Sequence, residues 1–287
     1  MAARPKTSFS TRKTDRGPTR TGPGTMAAQA DRYALYQRAV QEPEADCEFF
    51  ARVFKKRYGR APLDLREDFC AAANTAVTWV AGQPERRAWG LDLDPEPIAW
   101  GLAHNAVKLT PEQRARLALV EGDVRGRGLV PPVDVVAAQN FSFNCFKSRA
   151  DLQLYFEAAL AGLKPEGLFI LDCFGGPDAQ RMGEEVTRYE QFAYVWDQAR
   201  YDAITSECVY HIHFRFPDGS QLRKAFSYEW RLWTIRELRE VLAEAGFASS
   251  EVYWEGATPE GEGNGIYTKR ESATNEDAWL AYIVAVR

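Results

Sequence analysis

The sequence lacks paired cysteines, long apolar runs and an excess of either charge, and each lack removes a class of function. Its five cysteines, Cys47, Cys70, Cys145, Cys173 and Cys208, stand singly. None shows the spacing of a zinc site, a redox motif or a disulfide framework, so they read as reduced thiols of a cytoplasmic protein. No stretch reaches the roughly eighteen apolar residues that a membrane helix requires, which predicts a soluble chain with no membrane partner. The formal net charge is only -4 and the pI about 5.6. Basic residues cluster only at the start, which argues against a nucleic-acid partner. No repeat or long polar linker divides the 287 residues, so one main domain is expected.

What is present is an ordinary globular composition, 45% hydrophobic and 26% charged, behind a different opening. Residues 1–26 carry Arg4, Lys6, Arg12, Lys13, Arg16 and Arg20 against the single acid Asp15. Such a segment has too little apolar surface to order itself and reads as a disordered basic tail. Residues 27–60 read as an N-terminal helical cap: Tyr33, Tyr36 and Val40 fall at helical spacing, Pro43 marks a stop, and a second helix runs from about Ala45 to Tyr58.

From residue 61 the pattern alternates. Leu63 to Phe69, Ala88 to Leu93, Leu117 to Val120, Val133 to Ala138 and Leu168 to Phe174 read as strands. Helical stretches separate several of them, at Asn74 to Gly82, Glu96 to Val107 and Asp151 to Leu163. Strands joined through helices predict a parallel, doubly wound sheet, with residues 61–176 as its core. Residues 177–233 are β-rich, with a hairpin signal at Pro217-Asp-Gly-Ser220, and read as an antiparallel lid over a substrate. Residues 234–287 return to the core with a helix closed by Gly246 and two strands, the polar stretch Glu255 to Asn275 between them reading as a loop or hairpin tip. The predicted fold is therefore α/β: a Rossmann-like, mostly parallel seven-stranded sheet with an antiparallel β insertion after strand five.

In such a sheet a ligand lies beyond the carboxyl ends of the strands, at the switch point beside the first. The turn after the first strand is Glu67-Asp-Phe69-Cys70-Ala71-Ala72-Ala73; the second strand ends Asp92-Leu93-Asp94; Asp123-Val124 follow the third, and Asn140 follows the fourth. A carboxylate at the end of the second strand suits a ribose diol.

These pieces, in this order, resemble the class I S-adenosylmethionine-dependent methyltransferases over about Asp31 to Arg287. The resemblance implies S-adenosyl-L-methionine as cofactor, S-adenosyl-L-homocysteine as product, Glu67 as the first acid, Asp92 with Leu93 at the ribose, and Asp123 with Val124 at the adenine. The approach Leu163-Lys-Pro-Glu-Gly-Leu168 is similar to the family's before strand five. One departure stands out. The family has three glycines in the first turn where this chain has Phe69, Ala71 and Ala73. Glycine serves there because backbone must approach the ligand closely. A branch of the family writes the turn Asp-Phe-Cys-Gly-Thr, which matches Phe69 and Cys70 but not the alanines. Those alanines also read as nothing more than a helix start.

Methyl transfer from a sulfonium asks of a protein orientation, desolvation and sometimes a base. His211 and His213 share one face of a predicted strand, so they either line the cavity under the insertion or form its polar outer face. Tyr228 lies among Glu229, Trp230, Arg231 and Trp233, where alternation lets only half face a cavity. Tyr33 and Tyr36 either cover the cofactor or pack on the sheet. His104 reads as a solvated helix residue, and Asn140-Phe-Ser-Phe143 lacks both prolines of the Asn-Pro-Pro-aromatic motif. The sequence-based expectation is a methyltransferase acting on N or O of a small molecule, as monomer or homodimer, without a metal. The rival is a non-catalytic methyltransferase-like subunit whose alanine turn has lost the cofactor. A nicotinamide dehydrogenase is disfavoured by the missing glycine-rich pyrophosphate turn.

Overall fold

The computed structural model describes residues 7–10, 21–259 and 261–287. The chain opens with β1 (Thr7–Ser10), α1 (Met26–Gln29), α2 (Arg32–Val40) and α3 (Pro43–Tyr58). Pro43 starts α3 rather than ending a helix: it occupies the first turn, where its missing N–H costs nothing. Asp31 caps α2 by accepting from the Tyr33 and Ala34 amides, and Gly59 closes α3 in the left-handed conformation.

The alternating region follows as β2 (Asp64–Asp68), α4 (Asn74–Gly82), β3 (Arg87–Asp92), α5 (Pro95–His104), α6 (Pro111–Arg114) and β4 (Leu117–Glu121). It continues with β5 (Val133–Ala138), α7 (Arg149–Ala161) and β6 (Leu163–Gly175). Four antiparallel strands come next: β7 (Gly183–Arg188), β8 (Ala193–Tyr201), β9 (Glu207–Arg215) and β10 (Gln221–Arg231). The chain ends with α8 (Ile235–Glu244), β11 (Ser249–Ala257), β12 (Gly263–Arg270) and β13 (Trp279–Val286).

The main sheet has eight strands in the order β12-β11-β13-β6-β5-β2-β3-β4. Strands β2 to β6 are parallel, and β13 runs antiparallel to β6 and β11. The extra strand over the expected seven is β12, within the segment read as a loop or hairpin tip. It sits at the sheet edge with its side chains mostly exposed, and an edge strand held by backbone pairing needs no apolar alternation.

Aromatic and aliphatic side chains fill both faces. Leu152, Tyr155 and Phe156 of α7 and Leu238, Val241 and Leu242 of α8 cover one side, over Val136, Phe169 and Ile283. Phe50 and Phe54 of α3 and Trp79 of α4 cover the other, over Leu65, Val135 and Ile170. Each such fully buried side chain contributes about 1.5–3 kcal/mol before entropy is subtracted. No helix among the described residues is long and apolar enough to cross a membrane.

The second sheet, β1-β7-β8-β9-β10, presents one aromatic face to α2, where Leu35, Tyr36 and Val40 meet Phe192, Ile212 and Phe214. β1 corrects the expected disorder of the tail at four residues: Thr7 to Ser10 pair with Thr187 to Glu184. Residues 1–6 and 11–20 of that tail lie outside the described residues.

Candidate active site

β2 is hydrogen-bonded to β3 on one side and β5 on the other, so the sheet's direction of winding reverses beside it and a crevice opens at its carboxyl end. Seven described non-glycine residues have positive φ, and five of them lie on the two turns that follow β2 and β5 at this end of the sheet. Phe69, Ala71 and Ala73 have φ of 55°, 44° and 55° on the turn after β2, and Asn140 and Phe141 both have 58° on the turn after β5. The three alternating positions are those where the resemblance implies glycine. The backbone therefore keeps a glycine-type path without the glycines, at a cost of about 1–2 kcal/mol per residue. Strain of this kind persists where surrounding structure fixes it, and it concentrates at functional sites.

Several contacts fix the turn. Asp92 at the end of β3 accepts from the Ala71 N–H through Oδ2 at 2.8 Å and from the Asp94 N–H through Oδ1 at 3.0 Å. A carboxylate has about four acceptor sites, so two remain. Glu67 is buried and accepts from the Ala76 N–H at 2.7 Å, in the first turn of α4. Burial pushes its carboxyl up to about 8 against the opposing amide bonds. Its place is behind the turn, holding α4, rather than in the open crevice. Gly101 of α5 lies against Ala72, whose carbonyl a Cβ would strike. Cys70 is buried against Gly90 and donates its N–H to the Leu91 carbonyl at 2.9 Å.

Leu93 is 65% exposed beside Asp92. Asp123 receives the Arg125 guanidinium through Nη2 at 2.7 Å and Nε at 3.1 Å, and also the Arg125 N–H at 2.9 Å. The Arg125 hydrogen bond holds its carboxyl below the usual range. Val124 is buried. Asp92, Leu93, Asp123 and Val124 thus follow the ends of adjacent strands β3 and β4, as the sequence predicts.

Beyond β5, Asp172 of β6 accepts the Asn140 and Phe141 amides at 2.8 and 2.9 Å, which holds that left-handed pair in place. Tyr36 reaches toward this carboxyl from α2, hydrogen-bonds Tyr228 of β10 and packs on Phe226. Tyr228 faces inward with Trp230 and Trp196, while Glu229 and Arg231 fall on the other face. Tyr33 sits between Trp100 of α5 and Phe226, its hydroxyl donating to Glu96 at 3.1 Å and accepting from Arg32 at 2.8 Å. The two tyrosines therefore tie α2 to both the main sheet's helix α5 and the second sheet.

His211 and His213 do not line the cavity. Tyr210, Ile212 and Phe214 take the inward face of β9, and alternation turns the histidines outward. His211 contacts Ser227 Oγ at 2.8 Å, and His213 contacts Asp197 at 3.3 Å and accepts the Lys224 N–H at 2.7 Å. Glu184, Asp197 and His213 come close enough to hold a cation. Yet Nδ1 of His213 is already an acceptor, so Nε2 carries the proton, and Arg215 pairs with Glu184 at 2.6 Å.

Two further polar features stand beside the turn. Arg66 and Asp68 of β2 form a buried two-point ion pair at 2.7 Å, with the Tyr155 hydroxyl donating to Asp68 at 2.9 Å. Asp172 was legible as the one acid inside Leu168 to Phe174.

No protein-family model and no curated protein matches the chain. Solved structures do. An S-adenosylmethionine-dependent methyltransferase from Clostridium acetobutylicum superposes with TM-score 0.63 at 15% identity, covering 88% of this chain and 96% of that one. The CcbJ methyltransferase of Streptomyces caelestis gives 0.62 at 17%, covering 85% and 96%. The sugar N-methyltransferase KedS8 of a Streptoalloteichus species gives 0.61 at 18%, covering 94% and 99%. The chain has the fold of the class I S-adenosylmethionine-dependent methyltransferases.

Proposed function

We propose that the crevice binds S-adenosyl-L-methionine and that the protein methylates N or O of a small molecule held beneath the antiparallel sheet. The observation that carries this reading is the gathering of five left-handed residues on the two turns at the switch point. Asp92, oriented by two amides, has acceptor capacity left for two ribose hydroxyls. Leu93 and Val124 offer apolar contact to an adenine ring, and Asp123 an acceptor for its amine once Arg125 shares it. Glu67, Cys70 and Ala73 hold the turn, Phe69, Ala71 and Asn140 border the ligand, and Tyr33 and Tyr36 cover it.

Bound there, S-adenosyl-L-methionine would supply an electrophilic methyl on its sulfonium, with S-adenosyl-L-homocysteine as the leaving group. The chain's contribution is to orient the acceptor and exclude water. Tyr228, on the inward face, is the lid residue placed to meet an acceptor; His211 and His213 are not. Five free cysteines fit a cytoplasmic setting, and the small net charge fits a small-molecule acceptor rather than a nucleic acid.

Asp92→Ala tests the assignment. Loss of charge-assisted bonds to the ribose weakens S-adenosyl-L-methionine binding by about 1–3 kcal/mol. An unchanged dissociation constant, measured by calorimetry, rejects it.

A further inference from the structure

Asp172 differs from Asp64, Asp68 and Asp134 of the main sheet in what compensates it. Asp68 is paired with Arg66, Asp64 with Arg87 and Lys164, and Asp134 with Arg60 and Lys164. Glu67 has the first turn of α4. Among the described residues no lysine, arginine or histidine forms an ion pair with Asp172; its partners are the two amides of Asn140 and Phe141. It is half-buried.

Its surroundings add acceptors and rings rather than cations. On β5, Ala137 pairs with Ile170, so two residues further along each strand Gln139 comes beside Asp172 on the same sheet face. Gln139 is 5% exposed and its Oε1 is buried without a partner. On the other side Tyr282 of β13 is the register partner of Asp172, and its hydroxyl donates to Asp46 of α3. Tyr36 of α2 lies near the Asp172 carboxyl and hydrogen-bonds Tyr228 of β10, with Tyr194 of β8 close to both. The titratable groups around Asp172 are thus Asp46, Tyr36, Tyr282 and the adjoining Cys173, none of them cationic.

We propose that this group of residues takes a protonated amine, so that the methyl acceptor is an amine whose ammonium is held by Asp172 beside Tyr36, Tyr228 and Gln139. This rests on the methyltransferase reading above. A carboxylate and aromatic faces both favour a cation, and an orphan carbonyl oxygen favours its N–H. An ammonium has no lone pair, so the nitrogen must first lose a proton. It passes from nitrogen to the Asp172 carboxylate, giving a neutral amine and a carboxylic acid, and the freed pair on nitrogen forms the new bond to carbon. Burial pushes the Asp172 carboxyl up to about 7, which suits a group that accepts a proton near neutral pH.

Cyclohexylammonium and its neutral counterpart cyclohexanol serve as probes, titrated against the full chain with S-adenosyl-L-homocysteine present. The ammonium is expected to bind saturably, at least tenfold more tightly than the alcohol. Asp172→Asn should abolish that preference while S-adenosyl-L-homocysteine still binds. Because this variant alters an acceptor of two amides, carboxyl carbon-13 shifts of aspartate-labelled wild-type protein give a second reading. The Asp172 midpoint should fall when the ammonium binds, and ammonium affinity should drop about tenfold from pH 8 to pH 6 as a carboxyl of midpoint near 7 is protonated. Equal binding of amine and alcohol, or an Asp172 midpoint unmoved by the amine, overturns the proposal. Failure of S-adenosyl-L-homocysteine to bind overturns instead the reading on which it rests.

Discussion

The alanine turn makes a prediction in the signs of three neighbouring substitutions. Ala71 and Ala73 have φ of 44° and 55°, whereas Ala72 between them is not left-handed. Ala71 is half-exposed, Ala72 is 6% exposed and Ala73 fully buried. Glycine at 71 removes a left-handed penalty of about 1–2 kcal/mol and adds about 0.5–1 kcal/mol of unfolded-chain freedom, a net gain of about 0.5–1 kcal/mol. At 73 the same relief is offset by loss of a buried methyl, about 0.8 kcal/mol, which leaves the change near neutral. At 72 there is no strain to relieve, so glycine destabilises by about 1 kcal/mol or more. Urea unfolding of the three variants reads these differences directly, with a rise of roughly 1–3 °C expected for Ala71→Gly in a thermal melt. Ala71→Gly should also tighten S-adenosyl-L-methionine binding, because it clears a methyl from the exposed side of the turn. Destabilisation by Ala71→Gly as large as that by Ala72→Gly refutes the left-handed path.

Glu67 should make stability fall as pH rises. Its folded midpoint of about 8 lies above the 4.5 of an ordinary glutamate, so folding favours the protonated form, and that contribution is lost between these values. At 1.36 kcal/mol per unit the limit is about 5 kcal/mol. Glu67→Gln should flatten this part of the profile, and an unaltered profile by pH-dependent urea midpoints removes the buried-carboxyl account. Gly101→Ala drives a methyl into the Ala72 carbonyl. It should cost about 1–3 kcal/mol and weaken cofactor binding more than a comparable change on the exposed side of α5; a neutral melt and unchanged affinity contradict the packing. His211→Ala, on the outward face of β9, should leave turnover of any acceptor within about threefold, and a larger loss returns the histidine to the cavity.

Much of the core was legible because its strands are buried on both faces and its helices carry an apolar stripe. Val133 to Ala138 and Trp279 to Val286 match their strands residue for residue, as Asn74 to Gly82 matches its helix. The acids at the ends of the strands were legible because a ligand crevice draws polar residues to fixed places on an otherwise apolar pattern. Legibility failed where backbone pairing or tertiary packing decides. β1 and β12 are short of apolar signal and are held by their neighbours' ladders. The face taken by His211 and His213 depends on register against β8 and β10, which period-two alternation alone leaves two-valued. The left-handed turn is invisible in Ala71 and Ala73, residues whose propensity points to a helix start. The Asp92 bond to the Ala71 amide and the wedge of Gly101 under Ala72 are among the contacts that hold them otherwise.

The most direct test of the central claim is a crystal structure of the chain with S-adenosyl-L-homocysteine. The account predicts ligand density in the crevice between the Ala71 turn and Asp92, with both ribose hydroxyls within about 3 Å of the Asp92 carboxylate and the adenine between Leu93 and Val124. An empty crevice at saturating ligand, or a ligand bound elsewhere with Asp92 still turned only to the Ala71 and Asp94 amides, contradicts it.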